Sequence, residues 1–230
     1  MPRLGSMRQN VKASGFGVVV VVLVLSSFLT AVTKVHVITF GRWITVQWLA
    51  AFDSPPLASK VRPLLVDGRV KEYVVGSAHE ITDRLFVVRR AFRINDALPE
   101  DSVPSWHWQR GGWLLVDRVT GRVSAASLPL FDPDFSQASW YRDYAAYCGV
   151  GDDGKKTYAL VAQLSRRKPV LKKLLPSVLK DESGAEFICP APQWQRNPVR
   201  VSFAPEGGDK QTFAIRGTAV DLVNDPEEED

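Results

Sequence analysis

The sequence predicts an all-β domain, an antiparallel, hairpin-rich sandwich or irregular barrel, preceded by one transmembrane helix. Three observations lead there: an uncharged apolar run near the N-terminus, short runs of β-branched and aromatic residues over the remainder, and turn dipeptides between those runs.

No charged residue lies between Lys12 and Lys34, and positions 13–33 read ASGFGVVVVVLVLSSFLTAVT. As a helix rising about 1.5 Å per residue this stretch spans roughly 30 Å, the thickness of bilayer hydrocarbon. The valines at 18–22 would make a poor helix in water, but in lipid the backbone must satisfy its own hydrogen bonds, which overrides that propensity. Arg3, Arg8 and Lys12 precede the run without any acidic residue. The positive-inside rule then leaves 1–12 as a short cytoplasmic tail and sends the bulk of the chain across. A cleaved signal peptide shares the charged start and apolar centre, and would give a secreted protein. Cleavage requires an A-x-A-like pattern, which Leu29-Thr30-Ala31 and Ala31-Val32-Thr33 each meet incompletely. Both readings put residues 34–223 outside the cytoplasm, and the single-pass signal anchor is preferred.

Beyond the anchor the expected elements follow in order. Runs 35–40 and 44–48 flank Gly41-Arg42 and suggest a hairpin. Runs 64–66 and 70–75 flank Asp67-Gly68, the strongest hairpin signal in the chain, because glycine tolerates the positive φ of tight primed turns. Runs 113–116 and 123–127 flank Val119-Thr120-Gly121, and 144–150 and 157–164 flank Asp152-Asp153-Gly154. The segment 85–94 fits a strand or a helix, and its β-branched and aromatic content selects a strand with Phe86, Val88, Arg90, Phe92 and Ile94 on one face. Further strands are expected at 199–203 and 212–223, around Pro205-Glu206-Gly207-Gly208. Prolines mark 52–58 and 95–105 as loops. The hairpins resemble propeller-blade hairpins locally, so a partial propeller is the alternative architecture, although their spacing has no constant period.

A chain of 230 residues with 45% hydrophobic and 23% charged residues suits one principal globular domain and argues against wholesale disorder. Net charge is +4, yet Asp221, Asp225, Glu227, Glu228, Glu229 and Asp230 fall in the last ten positions. The first 220 residues therefore carry 29 basic and 19 acidic groups, a basic body ahead of an acidic disordered tail at 224–230.

Cys148 and Cys189 are the only cysteines, and in an oxidising compartment an even pair suggests a disulfide, with two buried free thiols as the alternative. His36, His79 and His107 are far apart in sequence, and His79-Glu80 lacks the second histidine of a zincin helix. Asp132, Asp134, Ser136 and Asp143 occupy EF-hand-like positions, but Gln137 stands where the loop needs glycine, so a solvated acidic loop is expected and no metal. No G-x-S-x-G, P-loop or G-x-G-x-x-G occurs. Trp106 and Trp108 share one face of a strand with Trp113 nearby, as a core plug or a sugar-stacking platform. Arg166, Arg167, Lys168, Lys172 and Lys173 form the densest basic cluster, an exposed connector or a patch for anionic lipid or an envelope polyanion.

With no catalytic or cofactor pattern, the expectation is a membrane-anchored, extracytoplasmic binding or scaffolding protein of a cell envelope, without enzymatic activity or cofactor. Its partners would be the membrane through residues 13–33 and another envelope protein or an anionic surface; topology disfavours nucleic acid. The alternative is an envelope enzyme whose site is assembled from dispersed Asp, Glu and Arg residues.

Overall fold

The computed structural model describes residues 35–48, 57–100, 102–175, 189–205, 208–216 and 219–223. The expected anchor at 13–33, the tail at 1–12 and the acidic tail at 224–230 lie outside the described residues. Among the described residues all regular structure is β, and no helix is long and apolar enough to cross a membrane. The strands are β1 (Ile38–Phe40), β2 (Ile44–Trp48), β3 (Leu57–Val66), β4 (Arg69–Glu80), β5 (Leu85–Asn95), β6 (Trp106–Asp117), β7 (Val123–Ala125), β8 (Ser139–Tyr141), β9 (Tyr144–Val150), β10 (Thr157–Gln163), β11 (Leu171–Leu174), β12 (Gln193–Arg196), β13 (Val199–Phe203), β14 (Gln211–Arg216) and β15 (Ala219–Val223). They form three sheets.

In the largest, the order is β1-β3-β2-β6-β5-β4, with β7 beside β6 and β3 also paired with β4. Hydrogen-bonded neighbours thus run in a cycle through β2, β3, β4, β5 and β6, joined at β2 and β6 by the parallel pair Trp48↔Trp108. Turn chemistry sets the β3–β4 link: Asp67 at φ 53° and Gly68 at φ 75° both adopt the left-handed region that a two-residue primed turn requires.

The hairpin expected around Gly41-Arg42 does not form. Strands β1 and β2 both run antiparallel to β3, Phe40 opposite Leu64 and Ile44 opposite Val61, so 38–48 is one interrupted strand. At the interruption Gly41 donates to the Pro63 carbonyl at 2.8 Å, and a Cβ at position 41 would overlap the Pro63 ring. Glycine is there for close approach, not for a turn.

The long strands bury opposite faces at their two ends. Leu64, Val74, Phe86, Val88, Leu114 and Val116 form one core, whereas Val46, Trp48, Val61 and Ala91 form another. Val74 belongs to the first, and Val75, the next residue, packs on the second; successive side chains of a strand point to opposite faces. Register shifts between Leu64 and Leu65, between Val75 and His79, and between Arg89 and Ala91 bend the strands between these cores. The last of these places Gly111 and Gly112 opposite the single residue Arg90.

The other two sheets have the orders β11-β10-β9-β8 and β12-β13-β14-β15. They share a core of Ala146, Cys148, Ala159 and Val161 from one and Val201, Phe203, Phe213 and Ile215 from the other. The region 212–223 is therefore two paired strands, β14 and β15, and not one. Cys148 and Cys189 sit in this core as a disulfide with Cα atoms 6.2 Å apart, so the expected bridge is present. The opposite face of β9 and β10 is covered by Leu128, Leu130, Phe131 and Trp140 from the segment that precedes β8 and from β8 itself.

That segment also touches the largest sheet. Trp140 lies edge-on to Trp113 and stacks on His79, whose Nε2 donates to the Arg142 carbonyl at 2.9 Å. Leu57 and Ala58, expected in the proline-marked loop 52–58, belong to β3, and the rest of that stretch lies outside the described residues.

Candidate binding surface

At one end of the five-strand cycle the register brings tryptophan and arginine together. Arg93 on β5 lies opposite Trp108 on β6, and Asn95 opposite Trp106, so Arg93, Trp106 and Trp108 occupy one face. The Arg93 guanidinium lies 5.0 Å from the Trp106 ring centre and 6.0 Å from that of Trp108. Tyr73 of β4 packs edge-on against Trp108 at 5.1 Å, and Arg110 lies 5.7 Å from the ring centre of Trp48. Each cation–ring contact is worth about 0.5–1 kcal/mol at an exposed site.

Burial grades across this cluster. Trp48 is buried and Trp108 half-buried, while Trp106 is 54% exposed. Of the three tryptophans expected as a core plug or a platform, Trp108 and Trp113 are half-buried and Trp106 is exposed, so the platform expectation suits Trp106. The buried indole N–H of Trp48 has no acceptor among the described residues. Neither Arg93 nor Arg110 takes part in an ion pair among them. The adjoining loop is closed by Asn95, whose Oδ1 accepts from Ala97 and Ser105, and by the 2.8 Å pair between His107 and Asp96.

Such an arrangement can stack a flat apolar ring face on Trp106 and offer cationic donors beside it. A sugar ring carrying a carboxylate combines both requirements.

The other sequence candidates are spread over the molecule. Arg166, Arg167 and Lys168 are exposed on the turn between β10 and β11, and Lys172 and Lys173 lie on β11 itself. Being consecutive in a strand, Lys172 and Lys173 point to opposite faces, and Lys172 sits 4.4 Å over the Tyr158 ring, so the five do not converge.

His36 pairs with Asp67 at 2.9 Å, His79 with the Arg142 carbonyl, and His107 with Asp96, each on a different part of the sheet. Asp132 Oδ1 accepts from the amides of Asp134 and Phe135, Ser136 Oγ donates to the Cys148 carbonyl at 2.6 Å, and Asp143 accepts from Gln163. These groups serve the loop's own backbone and its neighbours. Among the described residues no group of three or more His, Cys, Asp or Glu is placed to hold a metal ion.

Sequence reading placed Trp106 and Trp108 on one face of a strand, but did not place Arg93 opposite Trp108. Trp48 and Arg110 carried no signal, because their meeting depends on the β2–β6 junction, between strands some sixty residues apart. No protein family, curated protein or solved structure matches the chain.

Proposed function

We propose that this chain is a single-pass, membrane-anchored extracytoplasmic binding protein without catalytic chemistry, and that Trp106, Trp108, Arg93 and Arg110 take an acidic sugar unit of an envelope polymer. In this reading the five-strand cycle is a small irregular barrel, and the two facing sheets behind it are a sandwich. The observation that carries the proposal is the Arg93 guanidinium 5.0 Å from the ring centre of the exposed Trp106, with Arg93 and Arg110 in no ion pair among the described residues. The uncharged run at 13–33 with its basic N-terminal flank supports the anchor, and the Cys148–Cys189 bridge suits an oxidising compartment.

The test uses full-length protein in detergent, titrated with a uronic-acid oligosaccharide and with its neutral counterpart while tryptophan fluorescence is followed. The acidic sugar is expected to bind, with Trp106→Ala weakening it at least tenfold and Arg93→Gln erasing the preference over the neutral sugar. Equal binding by wild type and Trp106→Ala, or release of a shortened sugar, overturns the reading. A reporter fused after Asp230 is expected to be active only outside the cytoplasm.

A further inference from the structure

The end of the large sheet opposite Trp106 gathers His36, Val37 and three turns. His36 pairs with Asp67, while Val37 and Asp67 exchange two hydrogen bonds, Val37 N to Asp67 Oδ1 at 3.1 Å and Asp67 N to the Val37 carbonyl at 2.8 Å. Gly121 is so close to His36 that an added Cβ would stand 2.7 Å from the imidazole Cγ. Arg118 donates its amide to the Arg84 carbonyl and its guanidinium to Glu80, and Arg84 in turn binds Asp117. The turns at 67–68, 81–84 and 117–121 are thus tied to one another and to residues 36–37.

This end exposes apolar side chains that no core uses: Val35 is 82% exposed, Val37 59%, Val70 52% and Val119 46%. Exposed cations stand among them. Arg69, Lys71 and Arg122 enter no ion pair among the described residues.

We infer that this end rests on the bilayer surface, with Val35, Val37, Val70 and Val119 in the interfacial layer and Arg69, Lys71 and Arg122 on anionic lipid headgroups. The inference depends on the anchored reading of residues 13–33. From Thr33 to His36 the chain reaches at most about 11 Å even when fully extended. The headgroup layer on one side of a bilayer is itself roughly 5–8 Å deep. A tether this short holds the His36-bound turns against the headgroups. Exposed valines then lose contact with water at the interface, and each cation near an anionic surface is favoured. Strands β5 and β6, at about 3.3 Å per residue, carry Arg93 up to about 26 Å and Trp106 up to about 36 Å from the turns that face the lipid, toward a polymer outside.

The experiment reconstitutes the full chain in nanodiscs of phosphatidylethanolamine and phosphatidylglycerol, with a headgroup-region spin-labelled lipid as quencher. Single additional cysteines, Val70→Cys, Val119→Cys and, at the other end, Val103→Cys, carry an environment-sensitive fluorophore while the native pair stays bridged. Quenching at 70 and 119 several-fold stronger than at 103 is expected. Replacing phosphatidylglycerol by neutral lipid, or introducing Arg69→Glu with Arg122→Glu, should reduce it by at least half. Equal quenching at all three positions in a chain that stays with the bilayer overturns the seating alone. Release of the chain by alkaline washing, or a mature N-terminus beyond residue 33, overturns the anchor and the seating with it.

Discussion

Arg89 on β5 donates through Nη1 to the main-chain carbonyl of Ser136 at 3.1 Å, so one side chain pins the segment before β8 to the largest sheet. Its Nε serves the Gly111 carbonyl at 3.1 Å, and Nη2 serves that of Pro133. Burial pulls this guanidinium down to about 10, the charge of Arg110 adds to that, and Asp134 opposes it. Ser136 passes the connection on, because its Oγ donates to the carbonyl of Cys148.

Replacing Arg89 by Met removes the donors for three partly buried carbonyls and should cost about 3 kcal/mol. Arg89→Lys should recover only part of this, since an ammonium lacks the planar fork that reaches several acceptors at once. Urea denaturation measures both variants; a wild-type midpoint for Arg89→Met would show that the pin is dispensable.

Asp117 accepts the Arg84 guanidinium and the amides of Val119 and Thr120, and Arg84 above all holds its carboxyl far below the usual carboxylate range. A depressed folded value means the contribution is fully present above the unfolded value near pH 4 and is lost as pH falls through the folded value. Asp117→Asn should therefore melt below wild type at neutral pH, with the gap narrowing below about pH 4. Thermal melts from about pH 7 to about pH 2 test this. A constant gap would assign the loss to something other than the ionised carboxylate.

The disulfide closes a loop with a sequence separation of 41, for which chain entropy predicts up to about 4 kcal/mol. Non-reducing peptide mass spectrometry should recover Cys148 linked to Cys189. Reduction, or the double change to Ala, should lower the denaturation midpoint; recovery of both thiols in alkylated form from native material would contradict the pairing.

Gly41 distinguishes an interrupted strand from a hairpin. Gly41→Asn would be tolerated in a tight turn, but against the Pro63 ring any Cβ forces a local shift costing about 1–3 kcal/mol. Both Gly41→Ala and Gly41→Asn should thus be destabilised to a similar degree in chemical denaturation. A neutral Asn variant would favour the turn.

What the sequence by itself determined is local. Asp67-Gly68, Gly121 and Gly154 announced their turns because positive φ is nearly a glycine property, and each is a turn in the structure with φ between 65° and 75° at the glycine. The β-branched run of 85–94 likewise became β5, with Phe86 and Val88 on the face assigned to them. Two cysteines left a choice between a disulfide and two buried thiols, and the structure joins Cys148 to Cys189.

Only the tertiary structure decided which strand lies beside which. Gly41-Arg42 carries the same residues a hairpin would, and its true partner, Pro63, is more than twenty positions away. The Trp48–Trp108 junction, the meeting of Arg93 with Trp106, and the reach of Arg89 to Ser136 all depend on register between distant segments. A period-two pattern states which residues share a face, but the same pattern is compatible with many partners. The choice among them is made when the faces of β3, β4, β5 and β6 are buried against opposite cores at their two ends, a constraint that exists only once all the strands are in place.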